Sequence, residues 1–166
     1  MLVRHALASE HQQLREIRLE SLAADPDAFG STYERDLAHP PEWWERWAAQ
    51  SELGASQRTF VLQADDGRWL GLALVRIDDE QTAHAILNAM WVAPEARGQG
   101  AAKLLCDACA TWASEHGCHD LTLAVVAANA SALRAYETAG FTAGTETTWT
   151  RHDGTILNEF VMVLQL

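Results

Sequence analysis

Basic charge is scarce in this chain. Twelve lysines and arginines stand against 23 acidic residues over 166 positions, giving a net charge of −11. A nucleic-acid face needs clustered basic residues to neutralise phosphates, so that class is excluded, and an anionic membrane surface with it. Any polyanion bound here must meet a local site built largely from backbone N–H groups. The acidic excess would draw in a cationic substrate such as an amine, or serve solubility alone. Cysteine is sparse too. Cys106, Cys109 and Cys118 form an odd, closely spaced set, which makes no disulfide framework and points to a reducing, cytoplasmic setting. The Cys106-x-x-Cys109 pair lies in a helical run and no second ligand pair follows it. Buried thiols are therefore expected, and neither redox chemistry nor a metal site. No stretch approaches the ~20 apolar residues of a membrane span. Met1 to His5 lacks the apolar core of a signal peptide. Repeats, low-complexity tracts and linkers are missing as well. With 48% hydrophobic residues, one domain over residues 1–166 is the expectation.

Periodicity supplies the elements that are there. Leu2 to Leu7 reads as a short strand. Ser9 and Gln12 have capping-box spacing, and Leu14, Ile17, Leu19 and Leu22 form a helical stripe that should stop before Asp25-Pro26. A second helical stretch is interrupted at Pro40-Pro41. Trp43, Trp44 and Trp47 then share a short helix, either walling a pocket or covering the sheet. Phe60–Gln63, Trp69–Ile77 and Ala83–Val92 are strands separated by acidic hairpin turns. Helix 101–116, strand 121–126, helix 131–138 and two closing strands near 145–151 and 156–166 complete an α/β order. A mostly antiparallel meander with one parallel crossover is expected.

The chemistry concentrates in Met90-Trp91-Val92-Ala93-Pro94-Glu95-Ala96-Arg97-Gly98-Gln99-Gly100-Ala101-Ala102. A strand ends, a turn with two glycines follows, and a long helix begins. Such a turn leaves several N–H groups unpaired at the positive end of a helix dipole, and glycine lets the backbone approach an anion. Neither a P-loop Gly-Lys-Ser/Thr nor a dinucleotide GxGxxG after a first strand is present. A second segment follows the next strand: Asn129-Ala130-Ser131-Ala132-Leu133-Arg134-Ala135-Tyr136-Glu137-Thr138-Ala139-Gly140-Phe141.

Together these segments resemble the GNAT superfamily of acetyl-CoA-dependent N-acetyltransferases. Arg97 to Ala102 fits its Q/R-x-x-G-x-G/A loop, and Asn129 to Phe141 fits its N-x-x-A-x-x-x-Y-x-x-x-G-F segment. The resemblance implies a single-domain fold with a splayed, mixed sheet of about seven strands flanked by helices on both faces. It implies acetyl-CoA as co-substrate, no metal, a small amine or peptide amine as acceptor, and a homodimer. Backbone N–H groups of Arg97, Gly98, Gln99, Gly100, Ala101 and Ala102 would cradle the pyrophosphate. Met90, Trp91 and Val92 would pair with the pantetheine arm in a splay between two parallel strands. Asn129 would hydrogen-bond that arm, or simply start a helix. Tyr136 would protonate the leaving thiolate. A backbone N–H at Trp91 or Val92 would meet the oxyanion. Phe29, Tyr33 and Glu34 would contact the acceptor.

The amine's proton has no evident taker. Where relatives carry a glutamate or histidine, the strand before the glycine turn offers Asn88, which is no base near neutral pH but could relay a water. His84 stands four residues earlier, roughly 13 Å along a strand. Glu34 and Glu159 are further candidates. A transferase of longer acyl groups and a non-catalytic acyl-CoA sensor are the competing readings.

Overall fold

The computed structural model describes residues 1–166. Chain order is β1 (Leu2–His5), α1 (His11–Ala24), α2 (Tyr33–Leu37), α3 (Pro41–Leu53), β2 (Gln57–Gln63), β3 (Trp69–Ile77), β4 (His84–Val92), α4 (Ala101–Glu115), β5 (Asp120–Val126), α5 (Ala130–Thr138), β6 (Thr142–Thr150) and β7 (Ile156–Gln165). The strands form one seven-stranded mixed sheet in the order β1-β2-β3-β4-β5-β7-β6. Only β4 and β5 run parallel, joined through α4 as the expected crossover. Helices α1 and α3 pack on β2 and β3, and α4 covers the same strands from the other face with α5 beside it.

Local signals explain most boundaries. Pro40-Pro41 separates α2 from α3, with Pro41 at the first helical turn where its missing N–H costs nothing. Gly54, at φ 63°, ends α3 in the left-handed conformation. Trp44, Trp47, Ala48 and Ser51 form the buried stripe of α3, and the Trp47 indole donates to Thr59 Oγ1 at 2.9 Å. Leu105, Cys106, Cys109, Trp112 and Ala113 do the same for α4. All three thiols are free and buried. Burying a large apolar side chain of this kind contributes about 1.5–3 kcal/mol.

Several local expectations change: β1 ends at His5 and not at Leu7, and β2 begins at Gln57 and not at Phe60. The capping box at Ser9 and Gln12 is not formed. Glu10 instead accepts from the Leu7 N–H at 2.9 Å and is gripped by Arg4 at 2.6 Å. Strand β6 begins at Thr142, ahead of position 145, and is exposed along its whole length. Its polar sequence carries no alternation, and its pairing to β7 makes it a strand.

Candidate active site

The glycine turn forms at the C-terminal edge of the sheet. Gly98 and Gly100 have φ of 73° and 80°, and an added Cβ would meet nothing within 4 Å at either. Conformation, not space, therefore demands glycine there. The first N–H used by α4 is that of Leu104, donating to Gly100 O at 3.1 Å. No N–H from Gly98 to Lys103 has a protein partner, so six consecutive donors are left free through the turn and the start of α4. Side chains are less free. Arg97 donates from Nε to Val92 O at 2.9 Å and from Nη2 to Asp25 at 2.6 Å. Lys103 is paired with Asp107 and Gln99 with Glu95 O. Asp25 also accepts from the Trp91 indole at 2.7 Å, which ties the end of α1 to the turn.

Beside this turn the sheet opens. Strands β4 and β5 pair only from His84↔Asp120 to Ile86↔Thr122 and then separate. Past that point one edge of β4 faces a gap. The Ala93 N–H donates to Leu70 O on β3 at 2.8 Å, and alternation along the strand turns the Val92 N–H to the opposite edge, into the gap. A bulge accompanies the opening, because Leu72 pairs Trp91 while Leu74 pairs Asn88. Ala89 sits in it at φ 50°, the one non-glycine residue with positive φ. Met90, next to it, is partly buried.

Tyr136 projects from α5 into the core formed with α4, edge-on to Phe141 with ring centroids 5.8 Å apart. Burial, with the Cys106 and Cys109 thiols nearby, pushes its phenol well above the ordinary tyrosine value. It thus stays protonated at any ordinary pH. Asn129 caps α5, its Oδ1 accepting from Ala132 N at 3.1 Å and Ser131 Oγ at 3.0 Å. The helix-start role is therefore real, and only its NH₂ remains for a ligand.

On the opposite face of the sheet, a cavity of about 520 Å³ is lined by Asn88, Ala89, Phe29, Trp43, Trp47 and their neighbours. That size suits a small ligand. Phe29 is held over it because Arg151, buried, donates from Nη1 to Pro26 O at 3.1 Å and Phe29 O at 3.5 Å. Trp149 closes over Gly30, where a Cβ would meet its indole at 3.2 Å. Tyr33 and Glu34 do not join this cavity; they line a separate recess with Arg151 and Asp153. His84 is bound to Asp120 at 2.7 Å at the closed end of the β4–β5 pair, away from the opening. Glu159 pairs across from Val126, which places it on the same sheet face as Asn88, beyond the gap. Burial raises its carboxyl. Asn88 is exposed, accepting from Arg76 at 3.3 Å. The sequence reading missed His39. It lines the cavity, stacks on Trp43 at 4.0 Å, and has Nε2 4.0 Å from Asp36. Its i,i+3 spacing from Asp36 was the available signal.

The sequence model of the Acetyltransferase (GNAT) family matches residues 13–141. No curated protein sequence matches the chain. Among solved structures, an acetyltransferase of the GNAT family from Streptococcus pneumoniae superposes with TM-score 0.84 at 17% identity, over 99% of this chain and 98% of that one. The yncA protein of Salmonella typhimurium, solved with its cofactor acetyl-CoA, gives 0.80 at 20% identity, over 100% and 94%. A spermidine N-acetyltransferase from Vibrio cholerae, in complex with CoA and spermine, gives 0.76 at 15% identity, over 99% and 94%.

Proposed function

The chain belongs to the GNAT acetyltransferase family, and from that premise we propose that it moves an acetyl group from acetyl-CoA to a primary amine by direct attack in a ternary complex. One observation carries the reading: six unpartnered N–H groups from Gly98 to Lys103 stand at the mouth of the gap between β4 and β5. An anion at the first and an extended amide chain in the second fit a coenzyme with a pyrophosphate and a pantetheine arm. No metal enters this reading.

When bound, acetyl-CoA supplies a thioester carbonyl at which the amine nitrogen forms a C–N bond as the C–S bond breaks. The chain's own groups position and move protons around that exchange. The Val92 N–H, turned into the gap, donates to the carbonyl oxygen as it gains charge. The Asn129 NH₂ donates to the pantetheine arm. The Tyr136 hydroxyl donates to the departing sulfur. Because its phenol is a weaker acid than usual, it acts chiefly as a hydrogen-bond donor while the thiolate forms. In the cavity, His39, held by stacking on Trp43, accepts the proton the amine must lose. Glu34 and His84 have no part in this account, since neither reaches the cavity that holds Asn88.

The test is transfer itself. Purified protein is mixed with acetyl-CoA and a panel of amines, amino acids, polyamines and peptides. Released thiol is measured with the acetylated product. Thiol and N-acetyl product should appear in equal amounts. Thiol release without product in every case would contradict the reading.

A further inference from the structure

The cavity beside the bulge has a charge opposite to that of the molecule. Four arginines, Arg18, Arg35, Arg46 and Arg76, line it from α1, α2, α3 and β3, against one carboxylate, Asp36. The chain holds only 12 basic residues in all, so a third of them gather at this one place. Arg35 and Arg46 are exposed at its walls and neither guanidinium has an ion-pair partner. Arg76 is partly engaged: its Nε donates to Asn88 Oδ1 at 3.3 Å and its Nη1 lies 3.9 Å from exposed Asp79. Arg18 is the informative member. Its side chain is 9% exposed; Nε donates to Asp36 at 2.8 Å, and its guanidinium lies 4.9 Å over the Phe29 ring. Its Nη1 is buried without any hydrogen-bond partner. A desolvated charged donor left unpaired is costly, and burial indeed pulls this guanidinium below its ordinary value despite Asp36. Asp36 is the one carboxylate that faces these four guanidiniums within the cavity.

We propose that the acceptor is a primary amine carrying its own carboxylate or equivalent oxyanion, held by the Arg18, Arg35 and Arg46 guanidiniums of this cavity. The inference rests on the acyl-transfer reading and names its second substrate. Planar guanidiniums match a carboxylate in a bidentate manner, which fixes both position and orientation. Phe29, Trp43 and Trp47 supply apolar walls for the acceptor's remaining skeleton. The same field has a chemical consequence. Neighbouring positive charge disfavours an ammonium ion, so the amine enters with a larger neutral, nucleophilic fraction. The cationic substrate suggested by overall charge is thus reversed locally. A polyamine, which offers several positive charges and no anion, is the wrong complement for this cavity.

The experiment uses matched acceptors on aromatic, thioether and short aliphatic skeletons, each as amino acid, as amide and as decarboxylated amine, with spermidine as the cationic extreme. Two readouts are taken on the intact protein: kcat/KM with acetyl-CoA, and the dissociation constant by calorimetry with CoA saturating, which needs no catalysis. On the preferred skeleton the carboxylate-bearing member should exceed its two partners by tenfold or more in both readouts. Arg46→Gln and Arg35→Gln, both at exposed sites, should each reduce that preference by about tenfold. Neither should alter the stabilisation given by acetyl-CoA. Equal or better use of neutral or cationic amines would overturn the inference while leaving acyl transfer in place. Carboxylate binding by calorimetry with no transfer to any amine would support the site and refute the transfer reading. Absence of carboxylate binding by either readout would also overturn the inference.

Discussion

Two side chains carry the proton account, and each makes a separate prediction. Tyr136→Phe removes a donor whose partner, the departing sulfur, acquires charge only as the reaction proceeds. Turnover should therefore fall by about 10²-fold or more with little change in acetyl-CoA affinity. The measurement is kcat beside the coenzyme dissociation constant; unchanged kcat with chemistry rate-limiting would remove the phenol from the mechanism. His39 behaves differently because a base must be deprotonated to act. The wild-type kcat/KM should rise with pH to a plateau. In His39→Gln that rising limb should disappear and kcat/KM should drop by about 10²-fold. A limb that persists in His39→Gln and vanishes in Glu159→Gln would transfer the role to Glu159, half-buried on the same sheet face. Residue by residue, the sequence made the glycines of the turn and the tyrosine of α5 visible, since both lie in compact local patterns. It could not show which neighbours of a helix point inward. Glu34 and Tyr33 fall into the outer recess, while Asp36 and His39, within the next turn of chain, reach the cavity.

At the scale of elements, the α1–α2 loop is positioned from a distance. Arg151, in the β6–β7 turn, donates to the carbonyls of Pro26 and Phe29 and is itself held by Asp153 at about 3.1 Å. That guanidinium keeps the Asp153 carboxyl well below the usual carboxylate range. Arg151→Ala should loosen the loop that carries Phe29 and Gly30, raising the acceptor KM about tenfold or more and leaving acetyl-CoA affinity unaltered. The cost in stability should be about 1.5–3 kcal/mol, the usual loss for charge-assisted hydrogen bonds. Steady-state kinetics in both substrates checks this; an unchanged acceptor KM would show that the loop holds itself. Helices with clear stripes and strands bounded by acidic turns were legible from sequence because their signals are local. The β4 bulge was not, since Ala89 takes a positive φ without any glycine to announce it. Nor was the arginine cavity, whose members come from four elements and meet only after the sheet has formed. The start of β6 escaped notice because a strand exposed on both faces has no hydrophobic period.

The whole molecule combines an acidic composition with one basic cavity and one run of unpaired backbone donors. Its core also stores a pH response. Burial pushes the Cys106 thiol from about 9 up to about 12, and raises the Cys109 thiol and the Tyr136 phenol as well. These groups lose protons first in the unfolded chain, so their contribution is complete below pH 9 and is lost as pH climbs toward 12. Denaturant melts should show stability declining across that interval, and Cys106→Ala should flatten the decline; a slope untouched by that variant would assign it to other groups. None of this bears on chemistry unless the coenzyme binds where the free N–H groups lie. The most direct measurement is the melting temperature with and without acetyl-CoA, in wild type and in Gly100→Glu. At a hundredfold excess over its dissociation constant, acetyl-CoA should stabilise wild type by about 2.7 kcal/mol. Gly100→Glu, which adds a charge and a side chain at the anion's approach, should fold yet show no shift. A wild-type melting temperature that stays flat up to millimolar acetyl-CoA would contradict the account.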